Sequence, residues 1–412
     1  MAASHAPRAR QPCGDGGGVN VLYLSYTGLL EPLGQSQVLA YLKVLSREHR
    51  ITLVTYEKGA DLADAPAMRT QREVCEAHGI AWIPRRYHQR PRLLATAWDM
   101  TVFFFTALAY ARRADVIHAR AYIASFVALM VRTLTGKPFI FDMRAIWPEE
   151  MVVAGRLKPG APMYRLLKWG ERQCLVKAGA VVSLTSAALP YLRERAGAEG
   201  ARIRFAVIPT CTDLDRFTPA HNAAAPRAIG SIGTVMSGWY RFPWLTAFFR
   251  AVDRRLPGQA LTLITREDAE AIARAAEADG VPRDRLRIYG VDFADAPQAM
   301  RGLEAVAIFL ETGLAKLGSC PTRMGEALGS GLPVIVNPGV GDVGDIVCTH
   351  QVGVLVEDAS DEAMDRAVEA LFKLREDPGL SARCRSVAEE VFSLASGAKA
   401  YDRLYRELAP KA

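Results

Sequence analysis

Short apolar runs alternate with helical stretches along the whole chain, and this alternation constrains the fold more than any other feature. "VNVLYLSY" (19–26), "RITLVTYE" (50–57), "DVIHARAY" (115–122), "PFIFDMRA" (138–145), "AVVSLTS" (180–186) and "FAVIP" (205–209) read as buried strands. Amphipathic segments such as "SQVLAYLKVLSREH" lie between them. Strands that are apolar on both faces and separated by helices build a parallel sheet covered on both sides. The order then restarts with "RAIGSIGTV" (227–235), "ALTLIT" (260–265), "LRIYGV" (286–291), "AVAIFLE" (305–311), "LPVIVN" (332–337) and "GVLVED" (353–358).

At 412 residues the chain is too long for one ordinary core and suits two. The expectation is therefore an α/β chain with two doubly wound, Rossmann-like domains, residues 19–215 and 216–392, facing a cleft. The polar, proline-flanked "CTDLDRFTPAHNAAAP" (211–226) joins them. "LASGAKAYDRLYRELA" has helical periodicity and no strand after it, so residues 393–412 are expected to cross back onto the first half. The opening "MAASHAPRARQPCGDGGG" (1–18) lacks an apolar core segment and reads as a disordered tail, not a secretory signal.

Seven cysteines are scattered without a CxxC pair. That count suits a reducing cytoplasm better than a disulfide framework or a structural zinc site. The net charge of +7 is unevenly placed: residues 80–204 hold 20 Lys/Arg against 8 Asp/Glu, and the rest of the chain sums to −5. A basic middle section fits an acidic partner or a well-solvated surface. No nucleic-acid reading motif accompanies it, so a nucleic-acid partner is not expected. Within it, "RRYHQRPRLLATAWDMTVFFFTALAYARR" (85–113) joins a basic cluster to an apolar helix interrupted by Asp99. It reads either as a core helix with a basic lead-in or as a segment docking shallowly on an anionic leaflet.

Ligands of doubly wound sheets bind at the carboxyl ends of the strands. There "SCPTRMGEALGSGLPVIV" (319–336) sets Glu326 between a Pro-Thr-Arg turn and an apolar strand. A helix start alone asks for no more than a first-turn acid favoured by the helix dipole.

Taken together, "GLLEPLGQSQVLAYLKVLS", "DVIHARAY", "FDMRAIWPEE", "VIPTCTDLDRFTP" and "PTRMGEALGSGLPVIVNPGVGDVGDIV" resemble the retaining GT-B glycosyltransferases of family four (group 1), of the surface-polysaccharide type. The resemblance spans residues 19 to about 350. It implies that Glu326 binds the ribose hydroxyls of a nucleotide-sugar, since one carboxylate accepts two hydroxyl hydrogen bonds. Eight positions earlier the family usually carries a second Glu, and here stands Gly318. Backbone N–H groups around Ser319 to Thr322, a turn that contains Pro321, then suit the donor diphosphate, with Lys316 and Arg323 adding charge. A second departure is larger. Aligning Gly233 with the family's loop glycine puts Thr234 and Trp239 where an Arg and a Lys are usual. Arg266, after "LTLIT", and Arg323 are the replacement candidates.

On the first half, the resemblance places Gly34 and Gln35 near the donor phosphates and His118 near the sugar; a capping turn and a core histidine are the plain alternatives. Arg120 follows His118 on the same side of its strand. Arg144 suits an acceptor phosphate, Glu149 lies in the same loop, and Asp142 orders the turn.

The implied reaction transfers a sugar from a nucleotide-sugar to an acceptor hydroxyl with retained configuration, in polysaccharide or glycolipid assembly. The acceptor is a saccharide or lipid-linked, and the site is the cytoplasm or the inner face of the membrane. No protein nucleophile stands out, so positioning and charge stabilisation carry catalysis. No Asp-x-Asp motif occurs in a suitable loop, so neither a metal nor another cofactor is expected. Two other classes remain open: an inactive two-domain nucleotide-sugar-binding protein, and a GT-B-fold UDP-sugar 2-epimerase.

Overall fold

The structure, a computed structural model, describes residues 17–220 and 227–410. Most of the expected tail and the end of the joining segment therefore lie outside the described residues. The first half holds strands β1 (Asn20–Ser25), β2 (Arg50–Glu57), β3 (Ala81–Arg86), β4 (Val116–Arg120), β5 (Phe139–Met143), β6 (Ala180–Ser183) and β7 (Phe205–Val207). The second holds β8 (Ala228–Ile232), β9 (Leu261–Ile264), β10 (Leu286–Tyr289), β11 (Leu303–Ile308), β12 (Val334–Val336) and β13 (Gly353–Leu355).

Each half is one parallel sheet, in the orders β3-β2-β1-β4-β5-β6-β7 and β10-β9-β8-β11-β12-β13. Both start centrally, run outward to one edge, then return past the first strand to the other, the doubly wound topology. Tyr23 pairs with Leu53 on one side and His118 on the other, so β1 lies mid-sheet with both faces covered. Buried Val and Ile on both faces of these strands explain why they read as apolar runs.

β3 is the strand the sequence reading omits. "AWIPRR" is neither apolar nor alternating, and it contains Pro84. An edge strand tolerates a missing N–H, and β3 is the sheet's edge, only partly buried.

The final helix, Leu394–Leu408, returns to the first half. Ser393 caps its start by accepting from the Ser396 amide, and Thr212 bridges to Ser393 beside it. Its Tyr401, Leu404 and Tyr405 are core residues of the first domain, packed with Val21, Tyr23 and Leu42.

The two halves also touch through loops at the strand ends. The Ser186 and Ala187 amides donate to the Asp342 carboxylate at 2.7 and 2.8 Å. The Thr185 hydroxyl donates to the Leu317 carbonyl at 2.5 Å, and that of Thr210 to the Cys320 carbonyl. A crevice of about 270 Å³ lies here, lined in part by Thr185, Ser319, Met324 and Asp342.

Candidate active site

The loop after β8 turns sharply at Gly233, whose φ of +93° suits glycine. Space requires it too, because a Cβ there would fall 2.7 Å from a guanidinium nitrogen of Arg323. Arg323 crosses the loop through that gap, donates to the Thr234 carbonyl and lies 4.3 Å from the ring centre of Tyr240. The loop is braced from below by Glu267, whose carboxylate accepts from the Val235 amide at 2.6 Å and the Met236 amide at 3.3 Å.

Arg323 is the second residue of the helix Thr322–Gly329, which is preceded by Pro321 in extended conformation. The first amides of any helix lack intrahelical acceptors, which makes this turn receptive to anions. Glu326 stands one turn on and accepts no hydrogen bond among the described residues. Its carboxyl is pushed up to about 7 by burial, with Arg323 and Arg216 opposing. Arg216 is held by the Phe293 carbonyl at 2.8 Å and by the Phe293 ring, 4.3 Å away. An acceptor without a partner, beside two cations and at the carboxyl edge of a parallel sheet, can receive hydroxyl donors. The guanidinium next to it can receive phosphate.

Lys316, in the loop after β11 of the same domain, makes different contacts. Its ammonium is nearly buried, 4.1 Å from the Trp239 ring centre and 3.6 Å from the Glu150 carboxylate of the first domain. Burial pushes its pKa down, opposed by Glu150. Gly318 faces the first domain too, where a Cβ would sit 3.2 Å from Ile146.

The structure thus brings together Gly233, Thr234, Arg323 and Glu326, with Ser319, Pro321 and Thr322 on the adjoining turn and Lys316 at the domain boundary. It sets four expected residues apart. His118 is in the core, 1% exposed, 2.6 Å from the Tyr405 hydroxyl and 3.3 Å from the Asp142 carboxylate. Both of its ring nitrogens are engaged, and burial lowers its pKa. Gly34 faces its own loop, because a Cβ would fall 2.0 Å from the Gly28 carbonyl oxygen. Gln35 donates to the Leu29 carbonyl and to Gln71, both at 2.6 Å, which spends its amide within the first domain. Arg266 is turned outward onto Asp292 and the Val291 carbonyl. In each case a nearby acceptor, or backbone crowding, outcompetes the cleft.

Asp142 does order the strand end. Burial disfavours its charge, yet Arg144, His118 and Arg120 hold its carboxyl well below the usual range. Arg144 also donates to Gln37 at 3.1 Å. Glu149 accepts from Tyr164 at 2.9 Å and pairs with Lys168 at 3.2 Å. Sequence reasoning missed Glu267, Tyr240 and Arg216. The first lies in the loop three residues past the end of β9, a signal that could have found it.

Residues 36–211 match the Glycosyl transferase 4-like domain. A D-inositol 3-phosphate glycosyltransferase of Geodermatophilus obscurus is 28% identical over 208 residues, 49% of this chain and 41% of the relative. The aligned stretch therefore spans about two-fifths of that relative's length. Among solved structures, Anabaena HepE in complex with UDP and glucose superposes with a TM-score of 0.67 at 14% identity, covering 93% of this chain and 98% of that one. Sucrose-phosphate synthase from Thermosynechococcus elongatus does so with a TM-score of 0.67 at 16% identity, covering 94% and 99%. The fold is GT-B, and the resemblance to group 1 glycosyltransferases holds.

Proposed function

We propose that this chain, whose first half is a glycosyl transferase 4-like domain within a GT-B frame, is a glycosyltransferase. It moves a sugar from a nucleoside-diphosphate sugar to an acceptor hydroxyl with retained configuration, without a metal or other cofactor. It works in the cytoplasm, in polysaccharide or glycolipid assembly on a saccharide or lipid-linked acceptor. The observation that carries this reading is the pairing of Arg323 over the Gly233 turn with the unpartnered carboxylate of Glu326 one helical turn away. In it Glu326 takes the ribose hydroxyls and Arg323 the diphosphate, together with amides at the start of the helix. The diphosphate gains charge as the sugar leaves, so a cation fixed beforehand lowers the barrier. The complexes of Anabaena HepE with UDP, and with UDP and glucose, support a nucleotide-sugar as donor.

A thermal-shift screen of nucleotide-sugars against the full chain tests the donor, because a ligand of the native state stabilises it. The donor so found is then followed by proton NMR with candidate acceptors. Slow donor hydrolysis or transfer with the donor's own anomeric configuration supports the proposal. Binding without turnover indicates a binding protein, and release of a free 2-epimer indicates an epimerase.

A further inference from the structure

Three helices lie side by side over one face of the first sheet: Arg92–Ala111, Ala121–Thr135 and Pro162–Lys177. Their inner stripes are core, including Phe103, Val127 and Leu175. Their backs are not simply polar. Leu94, Trp98 and Phe105 are 70%, 60% and 63% exposed, and Leu134, Leu166 and Trp169 are 65%, 56% and 60% exposed. Positions 94, 98 and 105 fall on one stripe of their helix. A single exposed apolar side chain is ordinary, whereas their recurrence on adjacent helices marks a contact surface.

Charge says what kind of contact. Residues 85–178 hold 16 Lys/Arg and 6 Asp/Glu, and none of the six acids is exposed. Arg90, Arg112, Arg113, Arg156, Lys158 and Arg165 are exposed and have no carboxylate partner among the described residues. A shallow depression at one end of the first helix is lined by Arg85, Phe105, Thr106, Tyr110, Arg112 and Arg113. The buried Nε of Arg85 has no hydrogen-bond partner there among the described residues. A second depression, at the other end, joins Arg90 to Leu94 and Trp98.

We propose that this three-helix face docks on the surface of an anionic phospholipid bilayer. Arg85, Arg112 and Arg113 take headgroup phosphate, while Trp98, Phe105 and Trp169 enter the boundary between headgroups and acyl chains. Apolar side chains on convex helix backs, ringed by cations without exposed acids, complement such a surface. Docking is shallow. Leu94–Ala111 is long and apolar enough to cross a membrane, but its inner stripe is committed to the sheet. There Phe103 is 0% exposed, and Asp99 accepts from the Tyr26 hydroxyl at 2.9 Å and the His88 amide at 3.0 Å. The proposal does not depend on the transfer reaction.

The full chain is floated with vesicles of phosphatidylcholine alone and of phosphatidylcholine with phosphatidylglycerol. Binding to the anionic vesicles that weakens with salt is expected, with quenching of tryptophan fluorescence by brominated lipid. The double substitution Arg112→Glu, Arg113→Glu should lower partitioning by more than tenfold, at about fivefold for each charge removed. Trp98→Ala should lose a large part of the quenching, Trp169 supplying the rest. Both variants alter exposed side chains, and unchanged thermal midpoints confirm that they fold. Failure to bind anionic vesicles overturns the proposal, and so does binding that both variants leave intact. Capture of an acidic protein without vesicle binding also overturns it.

Discussion

The ammonium of Lys316 lies 4.1 Å from the ring centre of Trp239 and 3.6 Å from the Glu150 carboxylate. Trp239 occupies a place where the family resemblance leads one to expect a lysine. Lys316 reaches that ring from another loop and spans the boundary between the domains. Removing one member leaves the other buried without its charge partner. Glu150→Ala should therefore destabilise the chain by about 1–3 kcal/mol, read by urea denaturation. The double variant Lys316→Met, Glu150→Gln should recover most of that loss. Additive losses would show that the pair is not coupled.

Arg323→Ala is expected to lower kcat more than it raises KM for the donor, because the charge it faces grows in the transition state. Arg323→Lys should recover little, since an ammonium cannot reproduce a planar fork. Steady-state kinetics at limiting and saturating donor decide this. Equal activity of wild type and Arg323→Ala removes Arg323 from the reaction.

Glu326→Ala should weaken donor binding by about 1.5–3 kcal/mol in calorimetry while the fold survives. Unchanged donor affinity would take Glu326 out of the site.

The same carboxyl makes stability depend on pH. Burial raises it to about 7 from an ordinary 4.5, so the folded state holds a proton that the unfolded state gives up between those values. Its favourable contribution is complete below pH 4.5 and is lost as pH rises through 7. Glu326→Gln should thus stabilise the free protein by about 1–3 kcal/mol at alkaline pH and leave it unchanged in acid. Urea midpoints across the range give the answer. A gap between the two proteins that does not vary with pH would mean that the carboxyl titrates normally.

Turnover should persist in excess EDTA, as expected from the lack of an Asp-x-Asp motif in a suitable loop. Loss of activity that magnesium or manganese restores would overturn that expectation.

The fold was largely legible because burial leaves a period in the sequence. Twelve strands lie under apolar runs, and β3 escaped because a proline-bearing edge strand needs no such run. Glu326 was legible because its surroundings are local: a turn, a helix start and the next strand. His118 was not. Its partners Asp142 and Tyr405 stand 24 and 287 residues away, and nothing within "DVIHARAY" tells a histidine aimed at a cleft from one satisfied by a distant tyrosine. Gln35 and Gln71 pose the same difficulty, as do Lys316 and Glu150. Periodicity reports that a side chain is covered, not what covers it.

The returning C-terminal helix has a consequence for synthesis. Tyr401 and Tyr405 belong to the core under β1 and β4, yet they follow the whole second sheet in the chain. Domains that fold as they emerge normally complete the amino-terminal one first. Here the first sheet waits with Tyr23 and His118 uncovered until the helix Leu394–Leu408 has been made, and the second domain, from β8 to β13, can close before it. A nascent chain stalled short of Leu394 is therefore expected to be a chaperone client through its first half, although that half was made long before.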